Sequence, residues 1–430
     1  MKKSTTSWSR RAFLQVGCAG MAGLALPTGL SQTVRADNAT ATADAVLFVN
    51  LLGGPSHLDT FDMKPHGPSD TRGSFDNIQT RIPGLAVCEY LPKYAASADQ
   101  YSLIRGISHT TGDHPQGQEY ISSGNRPTPA LRFPSVGSVV NREMPGSGEL
   151  PPFVVIPRSD WHAGYLGDAF APFKTNDYPK KGKPFEVRGI SLPEGLTVTK
   201  VKRRSQLLKD IDTRFRESNN NPELRQALTT IGEQAETMIL SPRTRHAFDL
   251  GKEPESIQSL FADDDLGQGL LLATRLLEFG VPFVSVSHFG WDTHLNNFTG
   301  HQRLIPSLDN GLDAVTTALR EKGLLERTLV VVMGEFGRTP TINKNVGRDH
   351  FPRANCCLMT GGGIQPGQLL GGTNEGATGP DDDTDIKPDD LTATILHSLG
   401  IDHHKTYYTS TGRPVDLVAN GRVLTSLLAN

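Results

Sequence analysis

Cysteine is scarce in this chain, four residues in 430, and only Cys88, Cys356 and Cys357 lie beyond residue 36. Cys356 and Cys357 are adjacent and Cys88 is far off in sequence, so neither a disulfide framework nor a thiolate metal cluster is indicated. No long Lys/Arg block occurs, which speaks against a nucleic-acid partner. After residue 36 no apolar run approaches the roughly 20 residues that cross a bilayer, so no transmembrane helix is expected in the mature chain. A glycine-rich phosphate fingerprint and an internal repeat are also missing. What the chain does have is a set of short apolar runs that stop abruptly at acids and histidines.

Residues 1–36 read as a twin-arginine signal peptide. A basic start leads to Ser9-Arg10-Arg11-Ala12-Phe13-Leu14, a weakly apolar stretch, and the small-residue cleavage site Val34-Arg35-Ala36. The expected partner is the twin-arginine translocase, and the expected location is the periplasm or another exported compartment. That route carries folded proteins, which is compatible with a metal acquired before export. Loss of the segment removes five basic residues and no acid, taking the formal charge from −3 to −8. Residues 37–430 then form one large domain, with loop insertions near 63–100 and 141–200 where Gly, Pro and charge dominate.

Strand-like runs fall at 45–53, 101–107, 153–156, 281–287, 328–333 and 355–360. Helical patterns separate them: 267–280 stops on Gly280, and 302–325 places Leu304, Leu308, Leu312, Val315 and Leu319 on one face. The charged segment 200–240 is read as solvated helices, and 376–390 as a polar loop ending at an N-cap on Asp389 or Asp390. Helix followed by strand, repeated, predicts an α/β fold: a mainly parallel sheet sandwiched by helices. In such sheets ligands bind beyond the carboxyl ends of the strands, where the acids and histidines of this chain stand.

Each cluster there has two readings. His57, Asp59 and Asp62 follow the first strand in GGPSHLDTFD as metal ligands or as turn and capping groups, Asp62 pairing with Lys64. His109 and His114 follow the second strand, ahead of a helix whose amides can hold an anion. His114 or a neighbouring Thr is the candidate nucleophile; ordinary loop histidines are the alternative. Asp292 and His294 in SHFGWDTH are two apart, and Gly290 gives the chain freedom to turn both toward one ion; His288 either helps or packs. Glu335 follows the most continuously apolar strand, where a carboxylate needs a metal or Arg338 to compensate it. Asp349 and His350 are an adjacent Asp-His pair before the last strand. Carboxylates and imidazoles without thiolates suit a divalent metal, zinc best, with calcium and manganese open.

The order of these elements resembles the alkaline phosphatase superfamily of sulfatases, phosphodiesterases and cofactor-independent phosphoglycerate mutases. The run Pro388 to Ile401 with Gly412-Arg413-Pro414-Val415 looks like that superfamily's closing helix and strand, and GDHPQGQEYISSGNRP at 112–127 looks like the segment carrying its nucleophile. More closely, the twin-arginine start with GGPSHLDTFD, GEFGRTP and GRDHFP is similar to an exported sulfatase-like family classed as domain of unknown function 1501. The resemblance implies an alkaline-phosphatase-like fold, a metal carboxylate at Asp59 or Asp62, a nucleophile near His114, and a metal pair at Asp292 and His294. The chain departs from it in two places. No Cys-x-Pro-x-Arg or Ser-x-Pro-x-Arg motif occurs, so formylglycine cannot form at the expected place, and Phe336 stands where relatives carry a histidine.

The sequence therefore points to an exported metal-dependent hydrolase of sulfate or phosphate esters on small molecules or glycans. Its expected ligands are His57, Asp59, Asp292, His294, Glu335, Asp349 and His350. His114 or water acts as nucleophile and Arg338 stabilises transition-state charge. The competing reading is a non-catalytic scaffold of the same fold that binds a glycan or a surface-assembly partner.

Overall fold

Apolar β-branched runs build the centre of the molecule. A computed structural model of the protein describes residues 41–146, 148–187, 190, 232 and 236–429. Among these, one sheet contains β1 (Ala45–Leu52), β2 (Ser102–Ile104), β3 (Phe153–Ile156), β4 (Phe173–Lys174), β5 (Phe283–Phe289), β6 (Thr328–Met333), β7 (Cys357–Thr360) and β8 (Leu369–Leu370). The strand order is β8-β2-β7-β6-β1-β5-β3-β4. β1 lies between β5 and β6 and is parallel to both, with Val49 opposite Val286 on one side and Val332 on the other. Only β7 runs against its neighbours, β6 and β2.

Alternation along each strand sends its side chains into two cores. Leu47, Val49 and Leu51 face one layer, packed with α3 (Asp265–Glu278) and α4 (Asn297–Glu321). Val46 and Phe48 face the other, with α1 (His114–Ser123), α2 (Val136–Glu143) and α5 (Pro388–Ser398). In that second layer Phe48, Phe153 and Phe283 surround Trp161, the closest ring 4.8 Å away, edge-on. The chain thus has the mainly parallel α/β architecture that its periodicity predicts. The described residues fall within one compact unit, Thr40–Asn430. None of their helices is long and apolar enough to cross a membrane.

Several boundaries differ from expectation. The insertion at 63–100 is not plain loop: it holds a short hairpin, Asn77–Gln79 with Ala86–Cys88, and a helix at Pro92–Ser97. α5 begins two or three residues earlier than an N-cap on Asp389 or Asp390 predicts, because Pro388 suits the first helical position. Lys387 is the cap, and its N–H donates to Asp390 at 3.1 Å. Residues 1–36, and most of 200–240, lie outside the described residues.

Candidate metal centre

Parallel strands deliver their carboxyl ends to one rim, and β7, running the other way, delivers its amino end there. That is why motifs following β1, β5 and β6 meet the motif preceding β7. The chain leaves β1 through Gly53, whose φ is 112° and whose missing Cβ would fall 2.3 Å from the amide nitrogen of Asp292. Only glycine permits that approach. On the opposite flank, a Cβ on Gly117 would meet the Glu335 Cβ at 3.1 Å, so this glycine lets α1 close on the exit of β6.

Asp292 is the point of convergence. Its Oδ1 lies 3.2 Å from His294 Nε2 and 3.3 Å from His350 Nε2, and its Oδ2 lies 3.3 Å from His114 Nε2. The Nε2 atoms of His294 and His350 are 2.9 Å apart. Each imidazole is held from its far side. His114 Nδ1 donates to Glu335 Oε1 at 2.6 Å, His294 Nδ1 to Asp349 Oδ1 at 2.7 Å, and His350 Nδ1 to the carbonyl of Gly112 at 2.8 Å. A carbonyl and two carboxylates can only accept, so the proton of each neutral ring sits on Nδ1 and its lone pair on Nε2.

Three lone pairs and a carboxylate facing one another repel unless a cation is shared among them. His114, Asp292 and His350 each offer a ligand atom within 4.8 Å of the others, and His294 adjoins this group through Asp292 Oδ1 and His350 Nε2. His114 Nε2 is buried and makes no hydrogen bond among the described residues. The donor set of two imidazole nitrogens and the Asp292 carboxylate, with His294 beside it and the rings backed by carboxylate and carbonyl partners, is of a kind that divalent metals take. The cluster is also accessible, since the Asp292 side chain is 46% exposed.

Burial alone would raise the Asp292 carboxyl, but the hydrogen bond from Arg338 at 2.7 Å and the Arg338 charge bring it down to about 2. The Glu335 hydrogen bond raises His114 above the ordinary histidine value, whereas burial lowers His350. Asp349 is lowered chiefly by its hydrogen bond from His294.

Four expected ligands take other positions. Glu335 is fully buried, and its carboxylate is occupied by Gly53 N–H (3.0 Å), Gln118 Nε2 (2.9 Å) and His114. It orients an imidazole and has no free lone-pair direction toward the cluster. Asp349 does the same for His294, with Asn343 as a second donor at 3.2 Å. Asp59 is buried and taken by Arg348 at 2.7 and 3.0 Å and by Asn297 at 2.8 Å. His57 is buried against Phe351 and is not among the groups gathered on Asp292.

Arg338 also differs from its expected role. Its side chain is wholly buried, and its three nitrogens donate to the carbonyls of Gly53, Gly54, Trp291 and Arg348 and to Asp292. It cannot meet a substrate, and it positions Asp292 instead. His114, expected as the nucleophile, is pinned through Nδ1 by Glu335 and faces Asp292 through Nε2. Phe336, unable to ligate, packs against the rings of His114 and His350 at 5.2 and 4.6 Å and fixes their planes.

Other histidines near the rim are structural. His109 lies between the Glu335 carbonyl (2.7 Å) and the Thr111 N–H (3.2 Å). His288 packs edge-on against Trp291. Asp62 is shared by Arg105, Lys64 and Thr373. Sequence reasoning passed over Asn50 and Gln118, although a polar residue inside the AVLFVNLL strand, and a glutamine one helical turn after His114, were both visible.

The family model described as protein of unknown function (DUF1501) matches residues 43–428. Comparison with curated proteins gives no match. Among solved structures, the lipoteichoic acid synthase LtaP from Listeria monocytogenes is 8% identical, with 85% of this chain and 74% of that one covered and a TM-score of 0.38. BT1596, a 2-O GAG sulfatase, is 12% identical with coverages of 89% and 74% and a TM-score of 0.36. A magnesium-bound mutant of TAB5 alkaline phosphatase is 12% identical with coverages of 84% and 99% and a TM-score of 0.38. Likenesses at this level assign no activity to the chain.

Two outcomes follow from the buried groups. Asp59→Asn leaves Arg348 without its countercharge and is expected to cost about 3–5 kcal/mol in chemical denaturation while divalent-metal content per folded chain is unchanged. Loss of divalent metal from folded Asp59→Asn would restore it as a ligand. The second concerns pH. Burial lowers His57, His288 and His301 to about 4, and His301 must stay neutral to accept the Ser56 N–H at 3.0 Å. Unfolded, these rings titrate near 6.5, so the unfolded chain binds more protons below that value. Stability is then full above pH 7 and falls as pH drops from about 6.5 toward 4, by up to ~3 kcal/mol per ring. Denaturation midpoints measured from pH 7.5 to 4.5 check the slope, and a pH-independent midpoint would contradict it.

Proposed function

The chain belongs to the family described as protein of unknown function, DUF1501, and from that premise we propose that it is an exported metal-dependent hydrolase of phosphate or sulfate esters. One divalent ion would be held by His114, Asp292, His294 and His350. The observation that carries this reading is the convergence of three Nε2 lone pairs on one exposed carboxylate, each ring fixed from behind by an acceptor. Motif resemblance to the alkaline phosphatase superfamily supports the ester class, with small molecules or glycans as the bearers of the ester.

A bound divalent ion supplies Lewis acidity toward an ester oxygen and toward water. The residues do the rest. Arg338 keeps Asp292 ionised and aimed outward, and Glu335, Asp349 and the Gly112 carbonyl keep the imidazoles in the ligating tautomer. Three imidazoles favour zinc, whereas calcium and magnesium-like ions prefer oxygen. The segment Ser9 to Leu14 supports twin-arginine export to the periplasm. A second reading, a non-catalytic scaffold that binds a glycan, draws on the complete engagement of Arg338, which leaves no guanidinium there for a substrate anion.

Metal analysis of protein purified without chelators should give about one zinc per chain. Asp292→Ala and His294→Ala should each weaken zinc by about 100-fold or more and lose turnover of aryl phosphate or aryl sulfate in parallel. Full metal content in either variant contradicts the ligand set; metal without turnover of any ester selects the scaffold. Separately, replacing Arg10 and Arg11 together with lysine should leave the precursor in the cytoplasm on fractionation, and unimpaired export would contradict the twin-arginine route.

A further inference from the structure

Behind Glu335 lies a chain of buried polar groups that touches neither the rim nor solvent. Gln118 donates through Nε2 to Glu335 Oε2 at 2.9 Å. Its Oε1 accepts from Asn50 Nδ2 at 2.8 Å and from Trp161 Nε1 at 3.0 Å, and its Nε2 also donates to Asn50 Oδ1 at 3.2 Å. Asn50, Gln118 and Trp161 are all nearly inaccessible. The indole nitrogen is a donor only, so the Gln118 atom facing it must be the oxygen. This fixes the amide orientation without ambiguity and sends the NH2 group toward Glu335.

The consequence passes outward one bond at a time. With an amide N–H aimed at Oε2 and the Gly53 N–H reaching Oε1 at 3.0 Å and Oε2 at 3.3 Å, both carboxylate oxygens are acceptors. The remaining neighbours of Glu335 are thus all N–H donors, the setting of an acceptor carboxylate, and in the 2.6 Å bond to His114 the donor is Nδ1–H and the acceptor Oε1. We propose that Gln118, locked by Trp161 and Asn50, is the positioning residue that sets the tautomer of His114 and so turns the Nε2 lone pair toward the rim. Trp161 serves two ends: its ring fills the aromatic core with Phe48, Phe153 and Phe283, and its N–H starts the relay.

The tautomer claim stands on the relay alone; its effect on metal rests on the ligand reading above. The test uses the full chain. Long-range 1H–15N correlation of histidine-labelled, metal-free protein above pH 8, with His114 assigned by a His114→Gln difference, reads the tautomer directly. Wild type should show Nδ1–H. Gln118→Met, which keeps length and apolar volume but removes the donor, should shift His114 to a mixture of tautomers. It should also weaken zinc by about 10-fold in chelator competition, the range seen when outer partners of ligating histidines are lost. Trp161→Phe retains an aromatic ring in this core, with a small cavity in place of the rest of the indole, and frees the Gln118 amide to flip, so it should move both readouts in the same direction and serves if Gln118→Met does not fold. An unchanged tautomer in both variants overturns the proposal. A shifted tautomer in a chain that never binds zinc keeps the relay and removes the metal reading.

Discussion

One guanidinium holds the rim together. Arg338 is buried without remainder, and its nitrogens reach the carbonyls of Gly53 and Gly54 at the exit of β1, Trp291 after β5, and Arg348 ahead of β7. A buried cation must be paired, and the carboxylate it takes is Asp292, which stands nearly half exposed. The pair thus points from a neutral floor toward the mouth. It ties four chain segments to one another and leaves an ionised acid where solvent and ligand can reach it.

Around that acid the polar groups fall into layers with different tasks. Imidazole Nε2 atoms form the inner layer. Glu335, Asp349 and the Gly112 carbonyl form the next and decide which nitrogen of each ring is free. Behind Glu335 the Gln118, Asn50 and Trp161 network carries the same constraint into the aromatic core. Phe336 adds packing in place of ligation. Each layer removes a degree of freedom from the one outside it, and a ligand set held this way loses little entropy on taking an ion.

Much of this architecture was legible because it follows from periodicity. Short apolar runs ending at Gly, Pro or acids marked the long strands, and the placing of Asp292, His294, His114 and His350 near one rim followed from where parallel strands end. The direction of β7 was not legible, yet it explains why GRDHFP precedes its strand while the other motifs follow theirs. The division of labour among the acids was not legible either. Asp59, Glu335 and Asp349 share the same sequence signature as Asp292, a carboxylate just past or just before an apolar run. What separates them is three-dimensional: Arg348 takes Asp59 and three donors fill Glu335, while Asp349 spends one oxygen on His294 and Asn343. Pattern names the candidates, and the hydrogen-bond inventory chooses among them.

X-ray absorption at the zinc edge, on the full-length zinc-loaded protein, asks about the inner layer directly. The account predicts a first shell of three imidazole nitrogens and at least one oxygen at about 2.0–2.1 Å with no sulfur. A sulfur scatterer, or a shell with fewer than two imidazoles, would contradict the convergence on Asp292 as the metal-holding arrangement.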